Sequence, residues 1–359
     1  MKNELIGDPH NFGRHSYAIG SKWISKSRPI LWESIFLSNH SEFRCLLDKI
    51  LKKEPIIECL PRLSFKKSTV DPHQYYVEKL LLTTPRLKRS EIPYALEAFG
   101  GMIALACFFG MDDLHIHNLL FGIDKRNGRL TLAPIDIETI FNKISSPTET
   151  WIITKEKNLD KMAGIQPVLP FLKLVNPNEK LAIAWGYFSV ARKMVKNRTK
   201  ITNAIQNIPD LKTTPIRVSF RSTYNYKNSQ VSKKLLKEEV IQLKRKDIPY
   251  FFRSIGQPNV QYYTTPDLGS AKEVKINPLI QEQLPVLMNA KTFLHNQKRN
   301  NSLLNYGTHL LIDYFLPRSF SGTLKYKGLS VQAQNEYLFF KARNMHRIQG
   351  PRNWTTFLA

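Results

Sequence analysis

Residues 111–122, MDDLHIHNLLFG, and residues 134–141, PIDIETIF, gather unusual chemistry into a short span. Asp113 is followed by His115 and Asn118, and after a short interval by Asp136 and Glu138. A carboxylate, an asparagine five residues on and a second carboxylate are the parts that phosphoryl transfer requires. One aspartate orients or deprotonates the attacking hydroxyl. The asparagine and the second aspartate hold magnesium on the ATP phosphates through hard oxygen ligands. Asp113 is therefore the candidate catalytic residue, and Asn118 and Asp136 are the candidate magnesium ligands. Such a site also needs a cation on the nucleotide phosphates, carried by a strand elsewhere in the chain. Lys26, in WISKSRPI, is suitably placed, and Glu33 lies within pairing reach of it. GDPHNFGR, residues 7–14, forms a glycine-containing turn ahead of Lys26; the chain has no GxGxxG and no Walker sequence.

The surrounding pattern predicts the elements that position these groups. Residues 16–19 and 22–24 read as strands joined at Gly20-Ser21, with Arg28-Pro29 closing the return strand. Residues 31–60 are helical in spacing, interrupted at Pro55. Residues 91–110 read as a long buried helix stopped by Gly110. The catalytic loop follows it, then a strand over 119–123, a DKRNGRL turn and a second strand ending at the acidic residues. Residues 178–208 predict one amphipathic helix, IRVSFRSTYNY (216–226) a strand, 228–246 a basic helix, and 303–315 a further helix.

Length and charge bound the functional classes. The 359 residues suit two lobes or two small domains, and a hydrophobic fraction of 42% excludes wholesale disorder. The net charge is +24; residues 1–150 hold 20 basic and 17 acidic side chains, so +21 falls on the remainder. That excess attracts an anion: nucleic acid, an acidic membrane face, a phosphorylated ligand or an acidic peptide. Three cysteines without metal spacing argue against a disulfide framework or a zinc site. The N-terminus has no apolar secretory segment, and the apolar run near residues 95–111 is too short to span a membrane. The expectation is a soluble, cytoplasmic protein.

Taken in order, GDPHNFGR, WISKSRP, DDLHIHN, PIDIETIF, IRVSFRSTYNY and KDIPYFF resemble the dehydratase domain of class II (LanM-type) lanthipeptide synthetases. That family shows GDxHxxGR, YKPR, TDLHxEN, IDxET, RxxxRxTxxY and DIPYF, so the resemblance runs from residue 7 to about residue 252. It implies an α+β fold with two lipid-kinase-like lobes. It further implies ATP- and Mg2+-dependent phosphorylation of Ser or Thr in a ribosomally made precursor peptide. Elimination of the phosphate then leaves dehydroalanine or dehydrobutyrine. By motif, Lys26 is the ATP lysine and Asp113, His115, Asn118, Asp136 and Glu138 form the kinase site. Arg217 and Thr223, with Arg221 and Tyr226 beside them, match the positions used for phosphate elimination, where an arginine's paired donors suit a leaving phosphate.

The departures are specific. YKPR is SKSRP here, and His117 stands where the family commonly has glutamate. The N-lobe, placed at 1–100, is expected to be truncated. The catalytic lobe is placed at 101–260, and 261–359 is expected to form a basic, mostly helical extension. Without cysteine and histidine zinc motifs, ring closure falls to a separate cyclase; that cyclase or an N-terminal chain completing the small lobe is the expected protein partner. An acidic leader in the precursor suits the basic C-terminal part. Two alternatives stand beside this reading: a phosphotransferase lacking elimination, and a nucleic-acid-binding protein. Basic residues with few interleaved aromatics count against the second.

Overall fold

The computed structural model describes residues 5–144, 146–155, 161–221, 226–227, 235–257, 259–276, 289–317, 319–334, 336–342 and 347–352. The protein is α+β, with helices and antiparallel sheets divided between two compact units. The units interleave in sequence: the first takes Met1–Ser41, Arg62–Leu80 and Asn207–Ala290, and the second takes Glu42–Pro61, Leu81–Gln206 and Lys291–Ala359. The expected consecutive division at residues 100 and 260 is therefore corrected. Residues 207–260 belong with the N-terminal strands, not with the catalytic loop.

In the first unit, five antiparallel strands run in the order Leu5–His10, Arg14–Ile19, Trp23–Lys26, Tyr75–Glu78, Phe65–Lys67. The predicted hairpin around Gly20 is present, with Tyr17 opposite Ser25 and Ile19 opposite Trp23. The helix Leu31–Leu37 follows and buries Trp32, Ile35 and Phe36. A second sheet is ordered Ala271–Glu273, Gln261–Tyr263, Phe251–Arg253, Ile216–Val218. One of its faces builds an apolar cluster of Val218, Phe251, Val260, Tyr262 and Val274. The strand expected over 216–226 is restricted to Ile216–Val218, and the basic helix to Lys237–Lys244, among the described residues.

The second unit is built on two helices, Ile92–Phe109 and Pro177–Lys196. Ile92–Phe109 is apolar almost all round and buried nearly throughout, so it is the expected core helix; the expectation that it is too short to span a membrane is corrected, since its length and composition would allow a span. It ends where predicted, at Gly110, whose φ of 66° is the left-handed conformation that a β-carbon disfavours. The two helices meet backbone to backbone: a Cβ on Gly100 would lie 1.9 Å from Ile183 O, and one on Gly186 2.1 Å from Glu97 O. Asn176 and Glu179 form a capping box that starts the second helix. The single helix expected over 178–208 is two, Pro177–Lys196 and Arg198–Gln206, parted at Asn197. The predicted strand–turn–strand is Leu119–Asp124 and Leu130–Pro134, with Leu82–Thr83 added at one edge.

The mostly helical C-terminal extension is also corrected. Helical turns end at Phe315, and a four-stranded meander follows: Gly322–Tyr326, Leu329–Ala333, Tyr337–Ala342, Ile348–Pro351. Alternating Leu324, Leu329, Val331, Ala333, Leu338, Phe340 and Ala342 supply its buried face. The tip of its first hairpin reaches the core helix, where Tyr326 OH donates to Glu97 Oε1 at 2.6 Å and Lys327 Nζ pairs with the same oxygen. Arg352 donates to Asp313 at 3.0 Å, both side chains being buried.

His309, on the helix Thr308–Phe315, packs so closely on this sheet that a Cβ on Gly350 would lie 2.5 Å from its Nε2. Burial holds its pKa below the ordinary histidine value, against opposing pulls from the Gly350 backbone and Asp313. The unfolded chain therefore takes up this proton first as the pH falls. Stability is intact above about pH 6.5 and declines below it, towards the lower folded pKa. His309→Gln should flatten the acid side of a plot of melting temperature against pH relative to the parent. Parallel curves between about pH 7.5 and pH 5 would show that His309 is not the group responsible.

Candidate active site

Lys26 and Glu33 do meet. Lys26 closes the strand Trp23–Lys26, Glu33 lies in the first turn of the helix Leu31–Leu37, and Lys26 Nζ donates to Glu33 Oε1 at 2.8 Å. Arg28 Nη2 donates to the same oxygen at 2.6 Å. All three side chains are buried, and the two cations share one carboxylate oxygen. A lysine on the third strand paired with a glutamate on the following helix is the arrangement that protein kinases use to hold nucleotide phosphates.

The other candidate residues lie in the second unit. After Gly110, hydrogen bonds from Leu114 N to Thr150 O at 3.0 Å and from Ile116 N to Met162 O at 2.9 Å pin the loop. Ile135 N donates to Asn118 O at 2.8 Å, which ties the loop to the start of the acidic segment. Asp113 and Asp136 both have left-handed backbones, with φ of 61° and 62°. Aspartate tolerates this region better than most residues, and such outliers concentrate at functional sites. Asn118 Nδ2 donates to Asp113 O at 2.9 Å, which leaves its Oδ1 as the acceptor end. His115 Nε2 lies 3.8 Å from Asp113 Oδ1, and the His115 and His117 rings meet edge to face at 5.7 Å. Burial, and then His117, lower the His115 pKa, while Asp136 acts in the opposite direction. This places Asp136 in the electrostatic reach of the loop. Behind the site, Asn142 Nδ2 donates to Asp112 Oδ2 at 2.9 Å and Thr139 Oγ1 to Asp112 O at 3.1 Å. Glu138 is half-buried in the same segment.

Among the described residues, no three His, Cys, Asp or Glu side chains are grouped to hold a metal ion. The oxygen donors of Asn118 and Asp136 suit magnesium that takes its remaining ligands from phosphate and water, its usual habit.

Three sequence motifs converge in the first unit. Arg217 stands opposite Phe252 in the sheet register, and its guanidinium carbon lies 5.5 Å from the Tyr250 ring centroid. His10 meets the same ring edge-on at 5.8 Å. His10 Nδ1 is 2.8 Å from Ile248 O; a carbonyl only accepts, so Nδ1 carries a proton, and in the neutral ring Nε2 is the acceptor nitrogen. The turn after His10 has three successive left-handed residues, Asn11, Phe12 and Gly13. Asp247 fixes it by accepting from Phe12 N at 2.8 Å and Gly13 N at 2.7 Å, and Arg245 stacks on Phe12 at 3.7 Å. Arg221 Nε at 3.1 Å and Tyr226 OH at 2.5 Å both donate to the buried Glu239 Oε1. Tyr226 is held protonated by burial and by Glu239, while Arg221 and Arg217 act in the opposite direction. Thr223 lies outside the described residues.

His10, Tyr250, Glu239 and Asp247 thus join the candidate site without having been singled out from sequence. Their signal was present only as membership of GDPHNFGR and KDIPYFF. Glu239 had none, since one acid in a basic stretch reads as a solvated face. No protein-family model matches this chain, and no curated protein sequence matches it.

Proposed function

We propose that the protein is a lanthipeptide-type dehydratase that phosphorylates Ser or Thr in a precursor peptide and then eliminates the phosphate. The observation that carries the nucleotide half is the buried Lys26–Glu33 pair, strand lysine to helix glutamate. Mg·ATP supplies the transferred phosphoryl group. Lys26, oriented by Glu33, neutralises nucleotide phosphate charge. Asp113 accepts the proton of the attacking hydroxyl, with His115 beside it. Asn118 and Asp136 hold magnesium, and Glu138 supports that segment.

In the second half-reaction the Cα–H bond and the Cβ–O bond both break. The Cα–H electron pair forms the Cα=Cβ double bond, and phosphate leaves with the Cβ–O pair. Arg217 neutralises the leaving phosphate, and His10 Nε2, the acceptor nitrogen of the neutral ring, takes the α-proton. Thr223 belongs to this half by motif. The precursor's acidic leader, a separate cyclase and a cytoplasmic location complete the proposal.

The test is mass spectrometry of a Ser/Thr peptide incubated with the full chain and Mg·ATP. The parent should yield peptide lighter by one water. Arg217→Ala should instead accumulate peptide heavier by one phosphate. A charge-assisted contact worth about 1.5–3 kcal/mol corresponds to elimination slowed roughly 10- to 200-fold. A parent that stops at phosphopeptide would make the protein a peptide kinase. An Arg217→Ala variant that yields only dehydrated peptide would remove Arg217 from the elimination step.

A further inference from the structure

Four arginines are at least nine-tenths buried among the described residues: Arg28, Arg44, Arg253 and Arg352. Three of them meet a carboxylate, Arg28 with Glu33, Arg44 with Asp48 and Arg352 with Asp313. Arg253 does not. It is 6% exposed, and its Nε and Nη2 have neither a hydrogen-bond partner nor contact with solvent. Burial alone moves its pKa, down to about 10, so the guanidinium is still charged at neutral pH.

The sheet register fixes where this charge lies. Phe251 pairs with Val218, Phe252 with Arg217 and Arg253 with Ile216. Side chains alternate across a strand, so Arg253 shares the face of Ile216, Val218 and Phe251, while Arg217 projects from the other face. Arg253 therefore stands at the margin of an apolar cluster, away from the phosphate position assigned to Arg217. An uncompensated charge on such a face is costly, and a Val, Ile or Tyr would suit the strand better.

We propose that Arg253 anchors an oxyanion-binding site on this face, separate from the dehydratase chemistry. It would take a phosphate or carboxylate group whose two oxygens match the Nε–Nη2 fork. The ligand supplies the counter-charge that Glu33, Asp48 and Asp313 supply to the other three arginines. The inference does not depend on the dehydratase reading.

Melting curves of the full chain test it, in buffer free of phosphate and carboxylate and then with inorganic phosphate or acetate added. The variants are Arg253→Met, which removes the charge at similar volume, and Arg253→Lys, which keeps the charge without the fork. Arg217→Ala controls for phosphate bound at the other face. Without added anion, Arg253→Met should melt at or above the parent temperature. Phosphate or acetate at about ten times its dissociation constant should raise the parent by about 2 °C or more. Arg217→Ala should keep that rise, Arg253→Lys should show less than about half of it, and Arg253→Met should lose it. A response to phosphate alone assigns a phosphate ligand, and a response to acetate as well assigns a carboxylate. The proposal is overturned if Arg253→Met melts below the parent in anion-free buffer, or if the rise persists in Arg253→Met.

Discussion

Asp136→Asn should lower the rate of phosphopeptide formation by about 10²–10³-fold while leaving the melting temperature of the metal-free chain nearly unchanged. Two features make this substitution clean. The Asp136 backbone is left-handed at φ 62°, a conformation that asparagine also accepts, so the local chain path survives. The side chain keeps its size and one oxygen but loses the negative charge that would hold magnesium. Single-turnover quantification of phosphopeptide by mass spectrometry, with magnesium varied, reads the effect. A variant within about threefold of the parent at saturating magnesium would place the essential carboxylate elsewhere, with Asp113 and Glu138 the next to examine.

Lys26→Met should be comparably damaging, a loss of about 10²–10³-fold in phosphoryl transfer. The chain should nevertheless fold, because Glu33 is not left alone in the interior: Arg28 Nη2 remains at 2.6 Å from the same oxygen. Without that second cation, removing the lysine would strand a buried carboxylate and the activity loss could not be separated from unfolding. Lys26→Arg should rescue little, since a planar fork cannot replace a compact ammonium group in a closely packed cluster. Retained transfer with either variant would show that another cation bears on the phosphates.

The parts of the fold legible from sequence were those fixed by local signals. The core helix was marked by an unbroken apolar run and Gly110, and the Leu119–Pro134 hairpin by its turn residues. Pairing of Lys26 with Glu33 followed from strand-to-helix proximity along the chain. The strand pairs between Ile216–Val218 and Phe251–Arg253 were not legible. Strands of three residues have too few positions to display a period, and their partners are more than thirty residues apart. The C-terminal meander was a different case. Its alternation of Leu324, Leu329, Val331, Leu338 and Phe340 is a strand pattern, and Lys327-Gly328 marks a tight turn. That signal was readable, and the helical expectation for 261–359 passed over it. Membership of residues 207–290 in the first unit had no local trace, because it arises from contacts remote in sequence.

The clamp on the Asn11–Gly13 turn bears on how the chain is made. Phe12 N and its acceptor Asp247 are separated by 235 residues. A ribosome adding about 5–20 residues per second would release the turn on the order of 10–50 s before the aspartate that fixes it. During that interval three left-handed residues must be held by the first hairpin alone, and the edge strand Leu5–His10 stays open to other chains. The second unit has a similar wait, since Glu97 and its partner Tyr326 are separated by 229 residues. Expression in cells should therefore be sensitive to chaperone supply, and slower elongation should prolong exposure of the N-terminal strands instead of aiding their folding.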